Sequence, residues 1–428
     1  MGTARFIAGV SILLGVFVIA PSALARDIPD QWIAVFDDEV TDVAGRADAI
    51  ARARGVERGA AWSHALKGFV FNGSPQAAAA VARSSGVAFV EPDRTVEAFC
   101  HTESQEVPAG IASVGATQNV TAAIDGVDVR VDADIAILDT GIYSHGDLNE
   151  EGGRHWNCTS SRGCVALSAP KDDNGHGTHV AGTAAAIDDT RGVVGMAPGA
   201  RLWSVKVLDR NGSGTWSWVI NGLNVVAANA ARIGVANLSL GGASTDSPSS
   251  CNSSALHKAI CGVTDAGVTV VVAAGNDGSD AGADVPAKYD QVITVSALDA
   301  ANGMFASFSN FGGAVDLAAP GVGVLSTWPG DRLSRWGYCA VADGTSMAAP
   351  HVAGAVALFV ARYGRDCNHD GRVNAADTTC IRDYLVRAGR CADGSRTTRD
   401  PATGLCLAGW PGDPDGLNEP LLFVAEPF

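Results

Sequence analysis

Apolar positions fall into two patterns along this chain. Up to Phe99 the apolar runs are short. Trp32–Phe36, Gly68–Phe71 and Val87–Glu91 read as strands, and the stretches Val43–Arg54 and Pro75–Ser84 have helical spacing. The order predicts a small ferredoxin-like β-α-β-β-α-β unit over residues 26–99. Beyond Cys100 the runs change character. Ala136–Leu138 and Val270–Ala274 are unbroken apolar runs, Asn237–Leu240 is a strand-like segment, and each leads into glycine or a small polar residue. Unbroken runs of this kind suit parallel strands buried on both faces. The expected fold class is α/β, a mostly parallel central sheet with helices on both faces, preceded by the small α+β unit.

Chemistry-bearing residues sit where these runs end. Asp139 closes the segment Ala136-Ile137-Leu138-Asp139-Thr140-Gly141. His176 lies at a glycine-punctuated helix start, Asn174-Gly175-His176-Gly177-Thr178-His179. Ser346 opens a small-residue helix, Gly344-Thr345-Ser346-Met347-Ala348-Ala349-Pro350-His351. A serine hydroxyl is a weak nucleophile until a base takes its proton and an acid orients that base. Asp139, His176 and Ser346 supply those three roles. Asn276, after Val270–Gly275, supplies a side-chain donor for an oxyanion, to work with the Ser346 backbone N–H. His179 lies one helical turn beyond His176; no third ligand motif accompanies the pair, so it is read as an ordinary buried histidine.

The three motifs, in the order Asp, His, Ser, resemble those of the subtilisin-like serine proteases, closest to the proteinase K branch. The resemblance runs from about Trp32 to the C-terminus. It implies a serine endopeptidase acting on proteins and peptides. It also implies that Ser239, Leu240 and Gly241 form one wall of the substrate cleft, Gly212-Ser213-Gly214 an opposite edge strand, and Ala274-Gly275 part of the primary pocket. An extended peptide clamped between two strands binds through its main chain. Asp284, two residues before Pro286, corresponds to the pocket base and raises a preference for a basic side chain; the alternative is an aromatic preference, with Asp284 turned to water. Residues 26–99 resemble the family's inhibitory propeptide, with self-cleavage after Phe99 and residues 100–428 as the catalytic domain. A catalytically dead relative acting as a binding protein, and an esterase, are the rival readings.

Calcium is the expected cofactor. Asp366-Cys367-Asn368-His369-Asp370-Gly371-Arg372-Val373-Asn374-Ala375-Ala376-Asp377 matches a twelve-residue EF-hand-type loop. Asp366, Asn368, Asp370, Asn374 and Asp377 offer side-chain oxygens, Arg372 its carbonyl, and Gly371 the turn. Asp377 departs from the usual glutamate. A separate dockerin-like module over 366–428 is the alternative to a loop built into the catalytic domain; no Pro/Ser/Thr-rich linker precedes Asp366. The family resemblance suggests a second site, from the Asp316 carboxylate and the carbonyls of Asp290 and Val292.

Composition adds the destination. Arg5, the apolar run Phe6–Ala20 and Ala23-Leu24-Ala25 read as a signal peptide spanning 1–25. All ten cysteines lie at or after Cys100, which fits disulfides in an oxidising compartment. Cys158 and Cys164 are spaced to close a small loop, and Cys251 and Cys261 to pin a loop to a helix; the remaining pairings stay open. The net charge of −16 argues against a nucleic-acid partner, and no later stretch is long and apolar enough to span a membrane. The expectation is a secreted (extracellular or periplasmic), self-processed zymogen acting as a monomer.

Overall fold

The computed structural model describes residues 27–37, 39–63, 66–94, 104–150, 154–330, 338–396, 406–407 and 410–425. The expected signal peptide and the expected cleavage point after Phe99 lie outside them. The chain divides into two compact units, Met1–Glu97 and Ala98–Phe428.

The first unit runs β1 (Asp27–Phe36), α1 (Val43–Arg54), β2 (Glu57–Trp62), β3 (Gly68–Asn72), α2 (Pro75–Ala82) and β4 (Val87–Arg94). Its sheet is antiparallel in the order β2-β3-β1-β4. The Asp42 side chain accepts from the Gly45 N–H to start α1, and Ser74 followed by Pro75 starts α2. Phe36, Phe69, Phe71, Ile50 and Val81 fill its core. Strand β2 has no apolar alternation, because Glu57, Gly59 and Ala60 are exposed at the sheet edge. It escaped the sequence for that reason.

The second unit begins with α3 (Ala109–Ser113), β5 (Asp134–Asp139), β6 (His155–Asn157), β7 (Val165–Ala166), α4 (His176–Ala185) and β8 (Arg201–Lys206). It continues through α5 (Trp216–Ala228), β9 (Val235–Leu238), β10 (Gly242–Ala243), α6 (Ala255–Asp265), β11 (Thr269–Ala273), β12 (Asp284–Val285) and β13 (Ile293–Asp299). It ends with β14 (Leu317–Val322), β15 (Val324–Trp328), β16 (Tyr338–Ala342), α7 (Thr345–Tyr363) and α8 (Ala375–Ala388). The central sheet has the order β14-β13-β11-β9-β5-β8-β6-β7. Every pairing is parallel except β6–β7. Alternation along β5 explains its unbroken apolar run. Ile135 and Ile137 enter the core shared with α4 and α7, while Ala136 and Leu138 enter the one shared with α5 and α6.

Strand β5 has β8 on one side and β9 on the other. The chain therefore reverses its direction of travel across the sheet at β5, and such a switch opens a crevice at the carboxyl ends of the strands. Asp139, Ser239 and Asn276 sit at or just beyond the carboxyl ends of β5, β9 and β11. Helix α8 packs on α6 and α7. Leu421 bridges Ala318 of β14, and the Val424 N–H donates to Val114. Residues 366–396 and 410–425 are thereby joined to the second unit's core.

Candidate active site

Asp139 is fully buried at the end of β5. Its Oδ1 accepts from His176 Nδ1 at 2.8 Å and from the Thr140 N–H at 2.6 Å. Its Oδ2 is buried without a hydrogen-bond partner, so the carboxylate favours any positive charge that develops on the imidazole. His176 is the first residue of α4. The carboxylate of Asp172 holds this helix start: Oδ1 accepts from the N–H groups of Asn174 and Gly175, and Oδ2 from the N–H and hydroxyl of Thr178. Gly175, with φ 115°, is required there, since a Cβ would come within 2.4 Å of the Trp328 ring. Burial works to lower the His176 pKa, but the charge and hydrogen bond of Asp139, with Asp172 behind, hold it above the ordinary 6.5.

Ser346 is the second residue of α7, at the positive end of a nineteen-residue helix. Its Oγ lies 3.4 Å from the Ser239 carbonyl, and its own carbonyl accepts from Ser239 Oγ at 2.8 Å. A hydrogen bond from Ser346 to His176 is not among those formed, as is common before substrate tightens such a site. The Oδ1 of Asn276 accepts from the N–H and the hydroxyl of Thr345 at 2.9 and 3.0 Å. These bonds fix the orientation of the amide, whose NH₂ group makes no hydrogen bond among the described residues.

A cavity of about 650 Å³ is lined by His176, Leu208, Trp216 and Leu240, with Gly212-Ser213-Gly214 facing Ser239-Leu240-Gly241. A second of about 300 Å³ is lined by Ser346, Asn276, Ala274, Gly275, Asp277 and Asp284. One expectation needs correction. A turn at Arg210–Asn211 leads into Gly212–Gly214, which forms no strand ladder. Asp209 Oδ1 accepts from the N–H groups of Asn211 and Ser213, the Asp209 N–H donates to Ser213, and Gly212 has φ 75°. Without an extended peptide between them, the segment has no ladder partner.

A family model described as the subtilase family of peptidases matches residues 132–403. The chain belongs to the subtilase family. Subtilases are serine endopeptidases. A thermostable alkaline protease of Halalkalibacterium halodurans is 42% identical over 298 residues, covering 68% of this chain and 74% of that protein. Subtilisin E of Bacillus subtilis is 39% identical over 285 residues, covering 66% and 67%. The crystal structure of a cold-adapted subtilisin-like serine proteinase superposes with a TM-score of 0.53 at 29% identity, covering 74% of this chain and 97% of that one. The mixed, mostly parallel sheet with flanking helices is thus the subtilisin-like fold.

His179 is fully buried, with Nε2 at 3.0 and 3.1 Å from the carbonyls of Val324 and Ala340. Burial pushes its pKa down to about 4, so the ring stays neutral and structural. Disulfides join Cys158–Cys164, Cys251–Cys261, Cys367–Cys380 and Cys391–Cys406, and Cys339 is also disulfide-bonded.

In the Asp366–Asp377 loop the oxygens are organised by backbone donors. Asp366 accepts from the N–H groups of Asp370 and Gly371, Asn368 from that of Asp370, and Asp370 from that of Arg372. Asp377 is buried, accepts from the N–H groups of Asn368 and Asn374, and completes a capping box with Asn374 at the start of α8. Gly371 has φ 82°. The donors are all oxygens, as calcium requires, and no salt bridge neutralises Asp366, Asp370 or Asp377 among the described residues.

The Asp316 group is built differently. Arg382 Nη1 donates to the Asp290 carbonyl at 2.7 Å, and Arg382 Nε lies 3.9 Å from Asp316 Oδ1. A guanidinium supplies positive charge between two of the three expected ligand residues. Burial pushes Asp316 up to about 6, with Arg382 opposing. The sequence motif carried no sign of this, since Arg382 lies on α8, far along the chain.

Sequence reasoning also missed Asp147. It is 4% exposed, accepts from the Val193 N–H at 2.9 Å, and burial, with Asp189 adding, raises it to about 8. Burial likewise raises Glu150 to about 8. The sequence offers no local signal for them, since the Asp189 charge and the burial that act on Asp147 come from a distant segment.

Proposed function

We propose that this subtilase is a secreted endopeptidase, made as a zymogen and stabilised by calcium, in which Ser346 attacks the scissile carbonyl. His176 takes the Ser346 proton and passes it to the leaving amine. Asp139 holds the Nδ1–H tautomer and stabilises the imidazolium. The Asn276 amide and the Ser346 N–H receive the oxyanion. The substrate lies extended between Gly212–Gly214 and Ser239–Gly241. The observation that carries this reading is the 2.8 Å Asp139–His176 pair at the same sheet edge as Asn276 and the α7 N-terminus.

Residues 26–99 act as the inhibitory propeptide in this reading; their separate β-α-β-β-α-β unit supports it. Placement in the proteinase K-like branch rests on the ten-residue spacing from Asn276 to Pro286. Calcium would be held by Asp366, Asn368, Asp370, Asn374 and Asp377 with the Arg372 carbonyl, and would neutralise their charge. The buried Asp147 is a second place where a cation would offset the cost of an ionised carboxylate. At Asp316 the guanidinium of Arg382 already fills that role, so calcium is not assigned there. The test is expression of Ser346→Ala without other proteases. The precursor should stay uncut and inactive; normal removal of residues 26–99 would take Ser346 out of its role.

A further inference from the structure

The 300 Å³ cavity beside Ser346 and Asn276 has an acidic interior. Asp277 and Asp284 are its charged lining residues, and no lysine or arginine lines it. Asp284 lies on β12, opposite Ala243 of β10, so regular pairing fixes its backbone. Asn310, fully buried, holds its side chain: Nδ2 donates to Asp284 Oδ2 at 3.0 Å and to the Ala274 carbonyl at 3.1 Å. The Asn310 Oδ1 accepts from the N–H groups of Asp277 and Ser279. One carboxamide thus locks both acidic segments of the pocket. The other Asp284 oxygen makes no hydrogen bond among the described residues. Gly275, with φ 110°, keeps the approach open, since a Cβ there would sit 3.4 Å from Asp284 Oδ2 and 2.3 Å from Asn310 Nδ2. The closest basic group acting on Asp284, Lys288, is nine-tenths buried and donates to the Ser244 carbonyl.

We propose that this pocket selects arginine or lysine as the residue immediately before the scissile bond, with Asp284 as the pairing carboxylate and Asp277 adding to the field. The proposal rests on the reading of Ser346 as nucleophile, which places the pocket next to the cut. A preorganised carboxylate with a free oxygen in a partly desolvated pocket forms a charge-assisted hydrogen bond without first reorganising. It penalises a glutamate or aspartate at the same position. Burial, with Asp277 behind it, raises the Asp284 pKa, the sign of a carboxylate short of positive charge. Self-cleavage after Phe99 would not conflict with this preference, because a tethered segment needs little pocket affinity.

The test uses tetrapeptide substrates that differ only in the residue before the cut, with enzyme concentration set by fluorophosphonate titration of Ser346. Arginine and lysine substrates should exceed phenylalanine in kcat/KM, and glutamate should be poorest. Asp284→Asn should lower the arginine value by about 10- to 100-fold and leave phenylalanine within about twofold. Comparable wild-type values for arginine and phenylalanine, or equal losses for both in Asp284→Asn, would overturn the proposal. The wild-type profile decides even if that variant fails to fold. Benzamidine binding to Ser346→Ala, measured by calorimetry, probes the pocket without turnover; it should be lost on adding Asp284→Asn, and unchanged affinity would count against the pairing. Absent titration of the wild type would count against Ser346 and leave the benzamidine result to judge the pocket.

Discussion

The catalytic edge and the Asp366–Asp377 loop both gather acidic residues, and they handle the charge differently. At the edge, Asp139 faces a histidine from the same fold, and the pair is complete without anything from solution. In the loop, Asp366, Asp370 and Asp377 are held by backbone N–H groups and form no salt bridge among the described residues, Arg365 acting on Asp377 only through its field. The Asp316 group shows the third solution, an arginine brought from α8. The lesson is that catalysis should depend on side chains and stability on a soluble cation, with the two separable by experiment.

The largest effect should come from breaking the edge's internal pair. Asp139→Asn keeps the shape but favours the wrong tautomer, and should lower kcat by about 10⁴-fold while the melting temperature changes little. A loss under tenfold would mean that His176 does not need this partner. Asn276→Leu comes next. It should cost about 10²–10³ in kcat with KM nearly unchanged; a change confined to KM would make Asn276 a substrate contact instead.

Chelation tests the other side of the comparison. A ligand that binds only the folded state stabilises it by RT ln(1 + [L]/Kd), so EDTA should lower the melting temperature and leave the initial turnover of still-folded enzyme nearly intact. Asp370→Asn should reduce the calcium-dependent shift, whereas Arg382→Gln should lower stability with or without calcium. An unchanged melting temperature in EDTA, together with no bound calcium by metal analysis, would make the loop a simple turn.

The smallest effect concerns pH. The base must be neutral to accept a proton, and Asp139 holds the His176 pKa above 6.5. The acid limb of kcat/KM should therefore have its midpoint above that value and move to lower pH in Asp139→Asn. A midpoint below 6.5 in the wild type would contradict the pairing as the controlling influence.

Legibility followed the range of each interaction. Asp139, His176, Ser346 and Asn276 were visible because each ends a local pattern, a strand run or a glycine-marked helix start. Parallel pairing was visible in the unbroken apolar runs. Strand β2 was not, because an exposed edge strand imposes no alternation. Gly212–Gly214, read as an edge strand, forms no ladder, and the turn before it depends on the Asp209 side chain, which no local pattern announces. Arg382 beside Asp316 and Asn310 behind Asp284 were invisible for another reason: both meet their partners through tertiary packing, which leaves no spacing to read.

In the proposed mechanism His176 and Asp139 activate Ser346 at the α7 N-terminus. The most direct test is labelling of the mature enzyme with a fluorophosphonate, the site located by peptide mass. One label per chain should appear on Ser346, and His176→Ala should slow it by at least about 10³-fold at unchanged fold, in line with a base that supplies most of the nucleophile's reactivity. Labelling on another residue, or equal rates with and without His176, would remove Ser346 or His176 from the proposed role.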